Sequence, residues 1–270
     1  MVQTAANFSG SIPEYYDTCL GPAWFEPFAD DLVRRLPPRP PGDVLEVACG
    51  TGIVTQRLRQ RLDPGVRLVA TDLSGGMLDY ARRKLAGRGG IEWREADAMA
   101  LPFEADAFGT VVCAFGVMFV PDRAAALREM RRVLAEGGTL LFNVWDRLEE
   151  NPHAHANARV FDAMFPGDEE MQFAKLPFGM HDAAMLRQLL AQARFREVRI
   201  ETKRIDVHSP DARTLAIGQI RGTPRSLLIE KRGASLDEVI DRGAAALAQV
   251  GGERPYRSYA NAVVVEARAL

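Results

Sequence analysis

Val44-Leu45-Glu46-Val47-Ala48-Cys49-Gly50-Thr51-Gly52 decides the reading of this 270-residue chain. A short apolar run carries an acid near its end and enters a loop with glycines at 50 and 52. A helical pattern follows at once, from Ile53 through Gln56 and Arg57 to Leu62. A strand that stops at a glycine turn and re-enters as a helix brings backbone N–H groups close to a ligand. It also sets that ligand at the carboxyl end of a strand, where open α/β sheets bind theirs.

The stretches that follow narrow the ligand. Twenty residues past Gly52, Leu68-Val69-Ala70-Thr71-Asp72 is a second short apolar run ending in an acid. A carboxylate there can accept both hydroxyls of a ribose. Ser74-Gly75-Gly76-Met77-Leu78 then opens a helix, with Ser74 as its N-cap. Glu95-Ala96-Asp97-Ala98-Met99 places acids in a loop after the strand Ile91-Glu92-Trp93, and Thr110–Gly116 has a buried-strand pattern. Val120-Pro121-Asp122 leads a helix to Leu134, and Gly137-Gly138 turns the chain into the strand Thr139–Val144.

In order and spacing, residues 40 to 146 resemble the class I S-adenosylmethionine-dependent methyltransferases, of the small-molecule type similar to the ubiquinone/menaquinone-biosynthesis-like group. The resemblance implies S-adenosylmethionine as cofactor and S-adenosylhomocysteine as product. It implies a Rossmann-like, doubly wound α/β fold: a seven-stranded, mostly parallel sheet with an antiparallel last strand, a helical N-terminal extension and lid insertions. It also distributes roles. Glu46 stands near the amino group of the methionine moiety, and Ala48, Cys49, Gly50 and Gly52 form the loop beneath it. Asp72 takes the ribose. Asp97 accepts from the adenine amino group, with the Ala98 N–H facing a ring nitrogen. Leu73, Met77 and Met99 sandwich the adenine. Ala114 and Phe115 pass beside the sulfonium, and Tyr16 closes over the cofactor from the extension. Against these stand plainer readings: a tight turn for the glycines, a solvated strand-end acid for Glu46, and core packing for Met77, Met99 and the tyrosines.

A nicotinamide or flavin dinucleotide domain is the nearest competitor. Its fingerprint wants Gly-x-Gly-x-x-Gly, and the third glycine position holds Thr55. The Asp97 loop and the Gly137-Gly138 turn have no counterpart in that scheme. The family motif often has Gly where Ala48 stands, a small departure that leaves the fold expectation unchanged.

Composition sets bounds. With 34 basic and 36 acidic residues the formal charge is −2, so no positive excess points to nucleic acid. Arg82-Arg83-Lys84 and Arg131-Arg132 lie on helical patterns and read as solvated faces. Cys19, Cys49 and Cys113 are few, odd in number and widely spaced, as in reduced cytoplasmic proteins. No Cys-His spacing suggests zinc. No signal peptide or membrane segment is read, the longest apolar stretch (Val111–Val120) falling short of the ~20 residues a span needs. The expected partner is a small-molecule substrate, not nucleic acid or a membrane, in the cytoplasm.

Along the chain, residues 1–40 form an N-terminal extension with a helix from about Pro22 to Leu36, and residues 41–270 the methyltransferase domain. Stretches at about 147–181 and 210–258 interrupt the alternation and are expected to form the acceptor lid. Its apolar inventory is Phe8, Tyr15, Tyr16, Phe161, Met164, Phe165, Phe173, Phe178 and Met180. Tyr15, Phe119, Phe161, Phe165 and Phe178 are the candidates for touching the acceptor.

The chemistry this implies is methyl transfer. Because a sulfonium carries its own leaving group, the protein's task is to align a nucleophile in line with the methyl and exclude water. A base is needed only for an acceptor protonated at neutral pH. Of His153, His155, His181 and His208, His181 at the start of the helix after the lid is the candidate; His153 and His155, two apart on a helix, do not share a face. An alternative from another class is a catalytically silent cofactor-binding regulator or assembly protein, keeping Asp72 and Asp97 but lacking an acceptor pocket.

Overall fold

Among the described residues, seven strands form one sheet in the order β3-β2-β1-β4-β5-β7-β6. They are β1 Val44–Val47, β2 Leu68–Asp72, β3 Ile91–Glu95, β4 Phe108–Ala114, β5 Leu134–Trp145, β6 Phe195–Ser209 and β7 Tyr256–Ala269. The computed structural model describes residues 8, 10–37, 39–171 and 176–269. The pairs β1–β2, β1–β4, β2–β3 and β4–β5 are parallel. The last strand runs antiparallel to both neighbours, β5 and β6. The expected sheet is therefore present, with β7 inserted between β5 and the edge strand β6.

Burial follows position in the sheet. All four residues of β1 and six of seven in β4 are buried, as central parallel strands covered on both faces require. The edge strand β6 mostly alternates, with Ile205, Val207 and Ser209 buried and the residues between them exposed. Alternate side chains feed two cores. Val44, Leu68, Val112, Leu141 and Val264 pack against Leu32, Ile53 and Leu58 on one face. Leu45, Val111, Cys113, Phe142 and Val265 join Leu127, Met130 and Leu186 on the other.

The amino terminus departs from expectation. Helix begins at Ile12, ten residues before Pro22, and runs through three consecutive segments: α1 Ile12–Tyr15, a π-helical stretch Tyr16–Phe25, and α2 Glu26–Arg34. Pro22 lies inside the π stretch, and the Glu26 N–H donates to the Gly21 carbonyl five residues back. A proline cannot donate and its ring crowds the carbonyl four residues before it. The wider π turn accommodates both demands, a solution that helical spacing alone does not reveal.

The remaining helices are α3 Ile53–Arg61, α4 Gly75–Lys84, α5 Arg123–Val133, α6 Pro152–Met164, α7 Ala183–Gln192, α8 Ala212–Arg221, α9 Arg225–Lys231 and α10 Leu236–Gly251. Ser74, Asp122, Asp182, Asp211 and Ser235 each accept the N-capping bond of the helix that follows. The Arg131-Arg132 pair is not a simple solvated face. The Arg132 guanidinium donates to the Leu101 and Phe103 carbonyls and to Glu129, pinning the loop that follows Asp97. Among the described residues no helix is long and apolar enough to cross a membrane.

Candidate functional site

The glycine loop after β1 is wound left-handed three times, at Ala48 (φ 57°), Gly50 (φ 54°) and Gly52 (φ 79°). At Gly52 a Cβ would also meet Leu85 Cδ1 at 3.1 Å and Ala81 Cβ at 3.2 Å, so α4 leaves no room for a side chain. At Gly50 a Cβ would meet nothing within 4 Å. Its backbone faces the open space a ligand needs for close approach. Ala48 occupies the same conformation without glycine's freedom, where an L-residue pays roughly 1–2 kcal/mol. Glycine's extra unfolded-state entropy offsets part of that, so Ala48→Gly is expected to stabilise the fold by up to about 1 kcal/mol. A higher urea midpoint at unchanged slope is the readout; an unchanged or lower midpoint would contradict it.

Asp72 ties the loop to the next crossover. Its Oδ2 accepts from the Gly50 N–H at 2.8 Å and its Oδ1 from the Ser74 N–H at 2.8 Å. Each oxygen keeps a second lone pair directed away from those amides. Burial holds the carboxyl above its ordinary value, against the pull of the amides of Ser74, Gly50 and Leu73, while Glu95 adds repulsion. Glu95 lies across from Asp72 in the β2–β3 register, and its side chain reaches Gly75. Sequence places Glu95 in the loop after β3 and gives it no role, whereas it ends that strand beside the acid-ended β2.

The Asp97 loop is anchored to the same point. The Ala96 N–H donates to the Asp72 carbonyl at 3.0 Å, and Asp97 Oδ1 accepts from the Met99 N–H at 2.8 Å. Leu73, between Asp72 and the N-cap Ser74, is 39% exposed, which suits a platform for a flat ligand. Ala98 and Met99 are half-buried, whereas Met77 is buried in the first turn of α4 and packs as core.

Glu46 lies in the middle of β1, buried, with no hydrogen-bond partner for its Oε2. Burial, with Asp72 adding and Thr55 opposing, pushes its pKa up to about 8. A buried carboxyl with one unpartnered oxygen beside an open glycine loop fits a ligand that brings a positive charge. Cys49 is buried, and burial with the nearby Glu46 and Asp72 holds its thiol well above its ordinary value, so it is an inert thiol.

The extension packs against α4 and its N-cap. The Ser74 hydroxyl donates to the Phe8 carbonyl at 3.1 Å, and Asp17 accepts from the Tyr80 hydroxyl and the Lys84 ammonium on α4. Tyr16 stacks on Phe25 at 4.6 Å and lies edge-on to Phe8 at 6.4 Å. Burial and the charges of Asp72 and Asp17 raise its phenol far above the ordinary value, so it stays neutral. Tyr15, its neighbour, is half-buried.

Beyond Ala114 the wall becomes aromatic. Phe115 (φ 52°) donates its N–H to the Asn143 side-chain oxygen at 3.0 Å and lies 4.4 Å from Trp145, the last residue of β5. Trp145 in turn meets Trp24, Phe28, His153 and Phe178. Of the expected acceptor contacts, Phe178 joins this group. Phe161 is buried on α6, stacks on Phe165 and lies under the Arg225 guanidinium at 4.9 Å. Phe119 is half-buried in the 3-10 turn Val117–Phe119. Phe173 lies outside the described residues. His181 is half-buried, and its Nδ1 donates to the Phe178 carbonyl at 2.8 Å, which fixes that nitrogen in a local turn. Trp24, Trp145 and His153 were not singled out from sequence as site residues. Trp145 had a usable signal, since it ends the strand beside Phe115.

Comparison with known proteins agrees with this fold. Residues 44–138 match the methyltransferase domain family. A Hahella chejuensis ubiquinone/menaquinone biosynthesis C-methyltransferase is 42% identical over 101 residues, 36% of this chain and 41% of that protein. A Thermus thermophilus demethylmenaquinone methyltransferase is 43% identical over 119 residues, 44% of this chain and 52% of that protein. The match thus spans about half the length of these relatives or less. Among solved structures, a Haemonchus contortus phosphoethanolamine N-methyltransferase bound to S-adenosylhomocysteine superposes with a TM-score of 0.61 at 14% identity, over 95% of this chain and 56% of that one. The YcgJ protein of a Bacillus gives 0.59 at 16% identity, over 89% and 97%. In its strand order, its glycine loop and its matched residues 44–138, the chain is similar to the class I S-adenosylmethionine-dependent methyltransferases.

Proposed function

We propose that the chain is an S-adenosylmethionine-dependent methyltransferase that moves a methyl group by in-line displacement to a nucleophile on a small organic molecule. The observation that carries this reading is the Asp72 carboxylate, bonded to the Gly50 and Ser74 amides with Glu46, the Asp97 loop and Tyr16 gathered around it. When bound, S-adenosylmethionine supplies a methyl carbon already activated by a sulfonium. The chain's residues do the rest. Asp72 accepts the ribose hydroxyls, and Asp97 with the Ala98 N–H reads the adenine edge between Leu73 and Met99. Glu46 answers the ammonium of the methionine end, and Ala114 and Phe115 border the methyl. The extension to residue 40, held by Asp17 and Ser74, covers the cofactor and excludes water. Residues 147–181 and 210–258 form the acceptor lid over the Trp145 aromatic wall. Three free thiols suit a reducing, cytoplasmic setting.

Calorimetry with S-adenosylmethionine tests the binding step, and turnover to S-adenosylhomocysteine over a panel of phenols, acids and amines tests transfer. No binding below millimolar would end this reading; binding without turnover on any acceptor would leave the silent regulator in its place.

Glu46 adds a signature of its own. With a pKa of about 8 it is mostly protonated at pH 7 in the free protein. The ligand's ammonium favours the carboxylate and lowers that pKa in the complex. Binding at pH 7 is therefore expected to release close to one proton, about 0.9 if the bound pKa falls well below 7. Affinity rises with pH toward 8 and gains nothing more from Glu46 above it. Calorimetry in buffers of different ionisation enthalpy reads the proton directly. Glu46→Gln should release none; equal release from both proteins would remove Glu46 from this role.

A further inference from the structure

Helix α8 meets the amino-terminal extension through two glycines. Gly218 and Gly222 stand four apart, one turn of helix, and both are buried. Neither has a left-handed backbone, so conformation does not call for glycine at either position. Close approach does call for it. A Cβ at Gly218 would overlap Leu20 Cδ2 and meet Cys19 Cβ at 2.7 Å. A Cβ at Gly222 would meet the Tyr16 nitrogen at 2.8 Å and its Cα at 3.0 Å, besides the Gly218 carbonyl at 2.5 Å. Glycine inside a helix gives up more backbone freedom on folding than any other residue. At Gly218 that disadvantage is offset by letting α8 lie directly on the π-helical stretch Tyr16–Phe25.

Both sides of this contact are held. Ala212, Leu215, Ala216 and Ile220 of α8 share one core with Val239, Ile240 and Leu247 of α10. Asp211 fixes the start of α8 by accepting from the Thr214 N–H at 2.7 Å. On the far side Asp17, next to Tyr16, accepts from the Tyr80 hydroxyl at 3.2 Å and the Lys84 ammonium at 2.6 Å, both on α4. The π-helical stretch is therefore gripped between a helix of the 210–258 insertion and the helix that follows Asp72. Rings carry the contact onward: Tyr16 lies 4.6 Å from Phe25, and Phe25 lies 5.5 Å from Phe115. Close-packed interiors transmit strain, so a shift of the stretch away from α8 moves the Tyr16 ring.

We propose that Gly218 and Gly222 are positioning residues for the cofactor: they let α8 seat the Tyr16 ring at the cofactor site, so that the acceptor lid and the cofactor cover act as one body. This rests on the methyltransferase reading, in which Tyr16 closes over the cofactor. Each glycine acts through the Tyr16 ring and not by contact with the ligand. The opposite side of α8 makes no such demand. Gly243 on α10 faces it, and a Cβ there would lie 3.6 Å from Ala216 Cβ, an ordinary contact.

Calorimetry of the full chain with S-adenosylhomocysteine tests this, with urea unfolding run in parallel. Gly218→Ala is expected to bind about tenfold more weakly, within the coupling range of residues in contact. Gly243→Ala adds its methyl where there is room and should bind as the wild type does. Adding Leu20→Ala to the Gly218→Ala protein clears the Leu20 overlap and should bring affinity back to within about threefold of wild type. Loss of that buried leucine lowers stability, so a merely structural role predicts the reverse, a weaker protein that also binds worse. In a Tyr16→Ala background, Gly218→Ala should cost less than about twofold further. Gly222→Ala, whose methyl meets the Tyr16 backbone, makes the same comparison if Gly218→Ala folds poorly. Wild-type affinity in both folded glycine variants overturns the positioning role, and so does a full tenfold loss without the Tyr16 ring; the methyltransferase reading then stands alone. If S-adenosylhomocysteine does not bind the wild type, the methyltransferase reading falls and takes this role with it.

Discussion

Asp72→Ala is expected to weaken S-adenosylmethionine binding by at least about 100-fold, which at 1.4 kcal/mol per decade is about 3 kcal/mol. Two contributions add. The carboxylate is assigned both ribose hydroxyls, and a hydrogen bond to a charged group contributes about 1.5–3 kcal/mol. Its oxygens also hold the Gly50 and Ser74 amides, so alanine loosens the glycine loop and the start of α4 together. Asp72→Asn separates the two: its oxygen keeps one amide, but its NH2 group faces an N–H where an acceptor stood. The asparagine variant should fall between wild type and alanine. Asp97→Asn, which alters only the adenine edge and the Met99 turn, should lose about tenfold. Titration calorimetry reads all three. An Asp72→Ala protein that folds normally and binds with wild-type affinity would refute the ribose assignment.

The cofactor half was legible because its residues are close in sequence to the turns that place them. Glu46 lies within β1, and Gly50, Gly52, Asp72 and Asp97 each end or follow a strand; parallel strands deliver such ends to one edge of the sheet. Local pattern therefore implied a shared site. The acceptor half is assembled otherwise. Trp24 comes from the π-helical stretch, Trp145 from β5, His153 from α6 and Phe178 from the stretch before α7; only packing brings their rings together. No spacing announces such a cluster. His153 illustrates the limit: sequence places it on a helix two residues from exposed His155, but not on which face the tryptophans lie. The helix start at Ile12 was missed for a different reason. Pro22 reads as a helix beginning, and the π turn lets it sit inside one instead. Arg132 was misjudged because its partners are the backbone carbonyls of Leu101 and Phe103, which carry no side-chain signal.

Trp145→Ala should be the most destabilising single change in the acceptor wall. The indole is 6% exposed and lies between the rings of Phe115, Phe28, Trp24, His153 and Phe178, at centroid distances from 4.4 to 6.4 Å. Its backbone is held opposite Ala262 in the β5–β7 ladder, so the strand cannot shift to fill the space. Truncating a buried Trp to Ala costs about 3–5 kcal/mol, a large share of the about 5–15 kcal/mol that holds a domain folded. Urea unfolding should show a much lower midpoint at similar slope, and Trp145→Phe should recover most of the loss by keeping a ring against Phe115. The two variants also separate packing from recognition. If the wall lines the acceptor side of the site, the phenylalanine protein should fold well, keep its cofactor affinity and still turn over its acceptor more slowly. A loss under about 1 kcal/mol in the alanine variant would mean that the site collapses around the gap, and the rings would then be a yielding surface instead of a fixed wall.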